Sequence, residues 1–149
     1  MKYKLIFFLI ALTLSYNPDA AVNYAMTYCA NYNPNYHDYT PEGGDCANFV
    51  SQAMIAGGFS FKGCSVSWLD YYGCCPRVVD VMSCLDQKGW KSYNSVPPNF
   101  RGGYPLFLTD ASHAMIASSY DGNVVYYCGH TRDRCGQAAN FEAIYYTPN

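Results

Sequence analysis

The chain has 149 residues, 50% hydrophobic and 13% charged, with a formal net charge of −2. That is one domain's length with enough apolar content for a folded core, and it leaves little room for a second domain. A slightly acidic balance without a basic block excludes the electrostatic footprint of a nucleic-acid binder.

Residues 1 to 15 begin with Lys2 and Lys4, continue as an apolar run from Leu5 to Leu14, and carry the small residues Thr13 and Ser15. This pattern predicts a secretory signal peptide cleaved before Tyr16, with an apolar run too short to span a bilayer. The expectation is one mature domain, residues 16 to 149. Its predicted location is secreted or within an endomembrane, lysosome-like compartment, without a membrane partner after cleavage. Eight cysteines suit such an oxidising setting and predict a partly disulfide-stapled fold.

Asn17 is placed to cap a helix whose first residue is Pro18, and Ala21, Val22, Ala25, Met26 and Cys29 recur on one face of it. The segment from Asn31 to Gly44 is rich in Asn, Pro and Tyr and reads as turns. Gly43-Gly44-Asp45-Cys46 then opens a second helix, with Asp45 as its N-cap and Phe49, Val50, Ala53 and Met54 at helical spacing as far as Gly57-Gly58. The stretch from Phe59 to Tyr72 carries little pattern, and Trp68 is assigned to core packing. Val78, Val79, Val81, Met82 and Leu85 predict a third helix from Pro76 to Lys88, and Trp90 to Gly103 reads as an extended connection.

Four short runs rich in aromatic and β-branched residues follow: Tyr104 to Leu108, His113 to Ser119, Val124 to Gly129 and Phe141 to Thr147. They predict a small antiparallel sheet, and helices followed by strands predict an α+β fold.

Cys46 stands where the unpaired amides and dipole of a helix N-terminus favour an anion, so its thiol is expected to have a lowered pKa and to act as a nucleophile. A free Cys46 leaves seven cysteines, enough for three bridges and one odd thiol. Cys128 and Cys135, flanking a short polar loop, are the first expected pair, and adjacent Cys74 and Cys75 are expected to bond to different partners.

The base must come from His37, His113 or His130. A two-residue turn centred on Asp121 and Gly122 pairs residues so that His113 faces His130. One imidazole then serves as base, and the other holds its orientation through the second ring nitrogen. The bland alternative is a surface histidine pair without a role. Zinc on Cys128, His130 and Cys135 is disfavoured, because the spacing matches no common ligand pattern, and no cofactor is called for. Tyr36 and Tyr39, just upstream of Cys46, are candidates to line its cleft. Tyr36 or Asn48 is a candidate to join the Cys46 backbone N–H in holding an oxyanion.

The blocks Tyr16-Asn17-Pro18-Asp19-Ala20-Ala21-Val22-Asn23-Tyr24-Ala25, Asn33-Pro34-Asn35-Tyr36 and Gly43-Gly44-Asp45-Cys46-Ala47-Asn48-Phe49-Val50-Ser51-Gln52, with Ala56-Gly57-Gly58, resemble the Putative amidase domain family. That family is similar to the papain-like cysteine hydrolases that include the NlpC-type and CHAP peptidoglycan amidases and endopeptidases. The likeness returns at Ser112-His113-Ala114-Met115-Ile116 and at His130-Thr131-Arg132-Asp133. It departs at Gly102-Gly103-Tyr104, where the family pattern has an Asp after Gly, and at Ser112, where it has an Asp. The resemblance implies a papain-like, NlpC-type fold with Cys46 as nucleophile, His113 as base and His130 as the third polar residue. It implies hydrolysis of an amide in peptidoglycan or a cell-wall peptide. The rival expectation is a catalytically inactive, disulfide-stapled binding protein on the same scaffold, and a second enzymatic one is acyl transfer to an amine.

Overall fold

A computed structural model describes residues 15–149, so the predicted signal peptide lies outside the described residues apart from Ser15. The fold is α+β, with helices α1 (Pro18–Tyr28), α2 (Cys46–Ala56) and α3 (Val78–Gln87) ahead of a six-stranded antiparallel sheet. The strands are β1 (Lys91–Tyr93), β2 (Pro105–Leu108), β3 (Ala114–Tyr120), β4 (Val125–Gly129), β5 (Arg134–Ala138) and β6 (Ala143–Thr147). They lie in the order β1-β6-β2-β3-β4-β5.

Local chemistry starts α1 and α2 where the sequence predicts, whereas α3 begins at Val78 and not at Pro76. Asn17 Oδ1 accepts the Ala20 N–H at 3.1 Å, and Pro18, which has no N–H to leave unpaired, takes the first turn. Asp45 occupies the N-cap position of α2 but makes no side-chain cap bond, because its carboxylate is engaged elsewhere. Two strands depart from the sequence reading. β1 lies in the stretch expected to be a bare connection and pairs with β6, Ser92 opposite Tyr146. β5 has no counterpart among the predicted strands. Its residues are mostly exposed and interrupted by Gly136, so it lacks the alternating apolar pattern of a half-buried strand and is an edge held by β4 alone.

The sheet's two faces have separate cores. Phe49, Val50 and Ala53 of α2 pack against Phe107, Ala114, Ile116, Cys128 and Tyr146 on one face. Phe100, Leu106, Met115, Tyr127 and Tyr145 pack together on the other. Gly103 is where α1 meets the sheet: a Cβ there would collide with the Pro18 backbone, and the Tyr16 hydroxyl donates to the Gly103 carbonyl at 2.6 Å.

The disulfides correct the expected pairing. Cys135 bonds to Cys29, not Cys128, and Cys64 bonds to Cys84. Cys46, Cys74, Cys75 and Cys128 are free and buried. Cys135, on β5, reaches Cys29 at the C-cap of α1. Trp68 is also corrected: it is 42% exposed, its ring edge-on to Tyr39. Its loop is pinned to α3 by Asp80, whose carboxylate accepts the Ser67 and Trp68 N–H groups.

Candidate active site

Two glycines with positive φ, Gly43 (120°) and Gly44 (141°), turn the chain into α2. Cys46 follows as the first residue of the helix and is 9% exposed. The backbone amides of Ala114, Ala47 and Cys46 favour its thiolate. Two belong to the helix start and the third to the start of β3. The Ala114 amide belongs to the peptide unit whose carbonyl is that of His113. The pKa runs against the sequence expectation. Burial pushes the Cys46 thiol above its ordinary value, the three amides oppose this without overcoming it, and the neighbouring Asp45 carboxylate adds to the rise.

Asp45 is the hub of the arrangement. It is buried, and its Oδ1 accepts the Tyr39 N–H at 3.0 Å and an Asn48 Nδ2–H at 2.8 Å. Its Oδ2 meets His130 Nδ1 at 2.6 Å. The other ring nitrogen of His130 lies 2.8 Å from the Tyr28 carbonyl. A carboxylate and a carbonyl only accept, so with Asp45 ionised both ring nitrogens of His130 donate. It is sandwiched between Tyr32 (3.7 Å between centroids) and Phe49 (3.9 Å). The hub is completed by Thr131, whose Oγ1 accepts the Asp45 N–H at 3.0 Å. Thr131 has a φ of 76°, an uncommon conformation for a β-branched residue, at the position where its hydroxyl serves the hub.

His113 does not face His130. The β3–β4 register pairs Ile116 with Cys128 and Ala117 with Tyr127, which carried onward sets Ala114, not His113, opposite His130. The Asp121 side chain accepts from both Asn123 and Val124, widening the turn, and an irregularity between Ala117 and Ser119 shifts the pairing again. A one-residue slip sends side chains to opposite faces. His130 therefore lies on the α2 side, stacked on Phe49, while His113 shares the far face with Met115. His113 Nε2 and Met115 Cγ each lie 3.6 Å from where a Gly129 Cβ would stand. The His130 nitrogens are thus spent on Asp45 and Tyr28, not on His113.

His113 is half-buried at the end of the loop joining β2 to β3. That loop is set by Asp110, whose carboxylate accepts the Ser112 N–H at 3.0 Å, and by Leu108 N–H donating to the His113 carbonyl at 3.1 Å. Burial lowers the His113 pKa below its ordinary value, and the positive charge of Arg132 lowers it further. The ring borders a cavity of about 470 Å³ whose walls include Met115, Tyr127, Phe141, Arg132 and Arg134.

The remaining candidates are placed differently. Asn48 is buried with its Nδ2 hydrogens on Asp45 and the His37 carbonyl, so neither is available to an oxyanion, and its Oδ1 has no hydrogen-bond partner. The Tyr39 hydroxyl donates to Asp70 at 3.1 Å. Tyr36 packs on Tyr72 and borders a void of about 10 Å³ beside Asp45 and His130, roughly the room of one water. His37 is exposed and paired with Glu42. Cys135, one of the three residues of the zinc reading, is consumed in a disulfide. Sequence reasoning missed Asp45 as a charge partner and Thr131 as its support. The adjacent Asp-Cys and His-Thr pairs were visible, but nothing in their spacing joins residues 85 apart.

Comparison with known protein families matches residues 15–101 to the Putative amidase domain. That is more than half of the chain. The chain belongs to this family. The matched segment of the amidase domain contains α1, the turn-rich stretch, the Asp45-Cys46 pair and α3, and it ends before His113, His130 and most of the sheet. No curated protein and no solved structure matches the chain.

Proposed function

We propose that this amidase-family chain is a secreted, cysteine-dependent hydrolase of papain-like, NlpC-type design. Its proposed substrate is an amide bond in a cell-wall peptide or peptidoglycan. Cys46 is the nucleophile and His113 the acid–base. With its ring turned from the Met115 side to the α2 side at the open end of β3, His113 takes the thiol proton as sulfur bonds to the carbonyl carbon, then gives it to the amine as the C–N bond breaks. Water hydrolyses the resulting thioester and restores the thiol. Backbone amides around Cys46 stabilise the oxyanion in place of the Asn48 side chain. His130 is a positioning residue that acts through Asp45, fixing the helix start that carries Cys46.

The observation that carries this reading is the place of Cys46, the first residue of α2, in one core cluster with Ala114, the residue after His113. Burial raises the Cys46 thiol pKa and lowers the His113 imidazole pKa, which favours the neutral form of each and leaves His113 free to accept a proton. Two disulfides are in keeping with an oxidising compartment.

The rival, a silent binding protein on this scaffold, draws on the burial of Cys46. Amine release from peptidoglycan fragments and model peptides by wild type, Cys46→Ala and His113→Ala decides between them. A fall of roughly a thousandfold or more in both variants is expected. Undiminished release by Cys46→Ala overturns the cysteine mechanism, and a wild type that binds fragments without cleaving them establishes the rival. Addition of a competing amine reports acyl transfer through a new amide product.

A further inference from the structure

The cavity beside His113 has a composition that an acid–base residue alone does not require. At about 470 Å³ it has the size of a small-molecule or peptide-residue site. Its apolar wall comes from Leu108, Met115 and Phe141, with Tyr127 beside them. Arg132 and Arg134 also line it, both exposed. Among the described residues, neither guanidinium is in an ion pair with a carboxylate. The acid between them, Asp133, accepts the Tyr32 hydroxyl at 2.9 Å, and Asp110 at the loop before His113 accepts the Ser112 N–H. Two unneutralised cations thus face an apolar recess in a chain whose formal charge is negative.

Both arginines are held in place by the backbone. Arg134 pairs with Gly129 across β4 and β5, and its neighbour Cys135 is bonded to Cys29. Arg132 follows Thr131, whose hydroxyl is fixed on Asp45. A guanidinium fork matches a carboxylate bidentately, and an anchored strand reduces the ordering cost of using it. The apolar wall favours an organic acid over a hydrated inorganic anion, because the ligand must also cover Leu108, Met115 and Phe141.

We propose that this cavity is a subsite for a carboxylate-bearing residue of the substrate, with the carboxylate on Arg132 and Arg134 and its carbon chain against Met115, Tyr127 and Phe141. The inference rests on the reading of His113 as the acid–base, since His113 and the two arginines line the same cavity. It names the substrate class as acidic peptides or acyl amides.

The test compares two otherwise identical short peptide amides carrying Glu or Gln next to the scissile bond. Wild type and Arg134→Gln are assayed for kcat/KM, and Cys46→Ala and Cys46→Ala/Arg134→Gln are assayed for binding by calorimetry. Wild type is expected to prefer the Glu peptide by about tenfold or more. Arg134→Gln should bring that ratio toward one, and the same preference should appear as a difference in binding to Cys46→Ala. Inorganic phosphate, used as a competitor, should displace the Glu peptide only weakly.

A wild-type ratio near one, with turnover intact, overturns the subsite and leaves the hydrolase reading standing. Binding of the Glu peptide that is lost in the Arg134→Gln double variant, without any turnover in wild type, keeps the subsite and overturns the hydrolase. Phosphate that competes as well as the acidic peptide reduces the cavity to a general anion site and overturns the proposal.

Discussion

Asp45 Oδ2 and His130 Nδ1 lie 2.6 Å apart with both side chains sealed from solvent. The pair ties the start of α2 to the end of β4, and through the Tyr28 carbonyl it reaches the end of α1. A buried ion pair adds little over a hydrophobic replacement, but removing one partner strands the other charge. His130→Ala is therefore expected to cost about 3–5 kcal/mol, as is Asp45→Ala. The double variant should cost less than the sum of the two. Urea unfolding midpoints at constant slope provide the measurement. Single-variant losses below about 1 kcal/mol would reduce the contact to the level of a surface ion pair.

Much of this arrangement was legible in the sequence, and the missing parts share one cause. The entry to α1 at Asn17, the Cys46 helix and four of the strands are local features, written in caps, periodicity and turn residues. The facing of His113 and His130 depended on one register. The Asp121 side chain and the irregularity after Ala117 changed it, which sent the two rings to opposite faces. The thiol pKa was misjudged because the helix N-terminus can be read from Gly43-Gly44-Asp45-Cys46, whereas burial beneath β3 is a tertiary fact. β5 escaped because an exposed edge strand has no apolar alternation to show.

The same burial sets the chemistry of the thiol. Cys46 is raised above its ordinary pKa, so its thiolate fraction is small at neutral pH and grows as pH rises past 9. Iodoacetamide labelling of native protein should be slow below pH 7 and accelerate throughout the alkaline range. Cys46, 9% exposed, should label ahead of Cys74, Cys75 and Cys128, which are 0% exposed. Peptide mapping of the labelled protein reports the order. Rapid labelling of Cys46 below pH 7 would mean an activated thiolate in place of a neutral pair.

Arg132 should shift the pH profile. The general base must be neutral, so kcat/KM is present above the His113 pKa and is lost as pH falls through it. That pKa lies below the ordinary value of 6.5, with burial the larger cause and Arg132 the smaller. Deleting a positive charge removes part of the lowering. In Arg132→Ala the acid limb should move to higher pH while remaining in the range set by burial. An uncharged amide substrate keeps the loss of anion binding out of the profile. A limb that stays fixed or moves to lower pH would show that Arg132 does not act on this imidazole.

The two disulfides should differ in weight. Cys29–Cys135 joins residues 106 apart in sequence and Cys64–Cys84 joins residues 20 apart. If each bridge acts mainly by restricting the unfolded chain, the long loop is worth about 5 kcal/mol and the short one about 3 kcal/mol. Paired serine substitution of Cys29 and Cys135 should then lower stability by about 1–2 kcal/mol more than substitution of Cys64 and Cys84. The long bridge also joins the residue after Tyr28, whose carbonyl holds His130, to the residue after Arg134. Its removal should therefore weaken the Glu-over-Gln preference as well as the fold, while removal of the short bridge spares that preference. Unfolding midpoints and the two-peptide ratio, measured on the same preparations, separate the chain-entropy effect from the local one. Equal stability losses would point away from the unfolded state and toward native contacts as the source of the stabilisation.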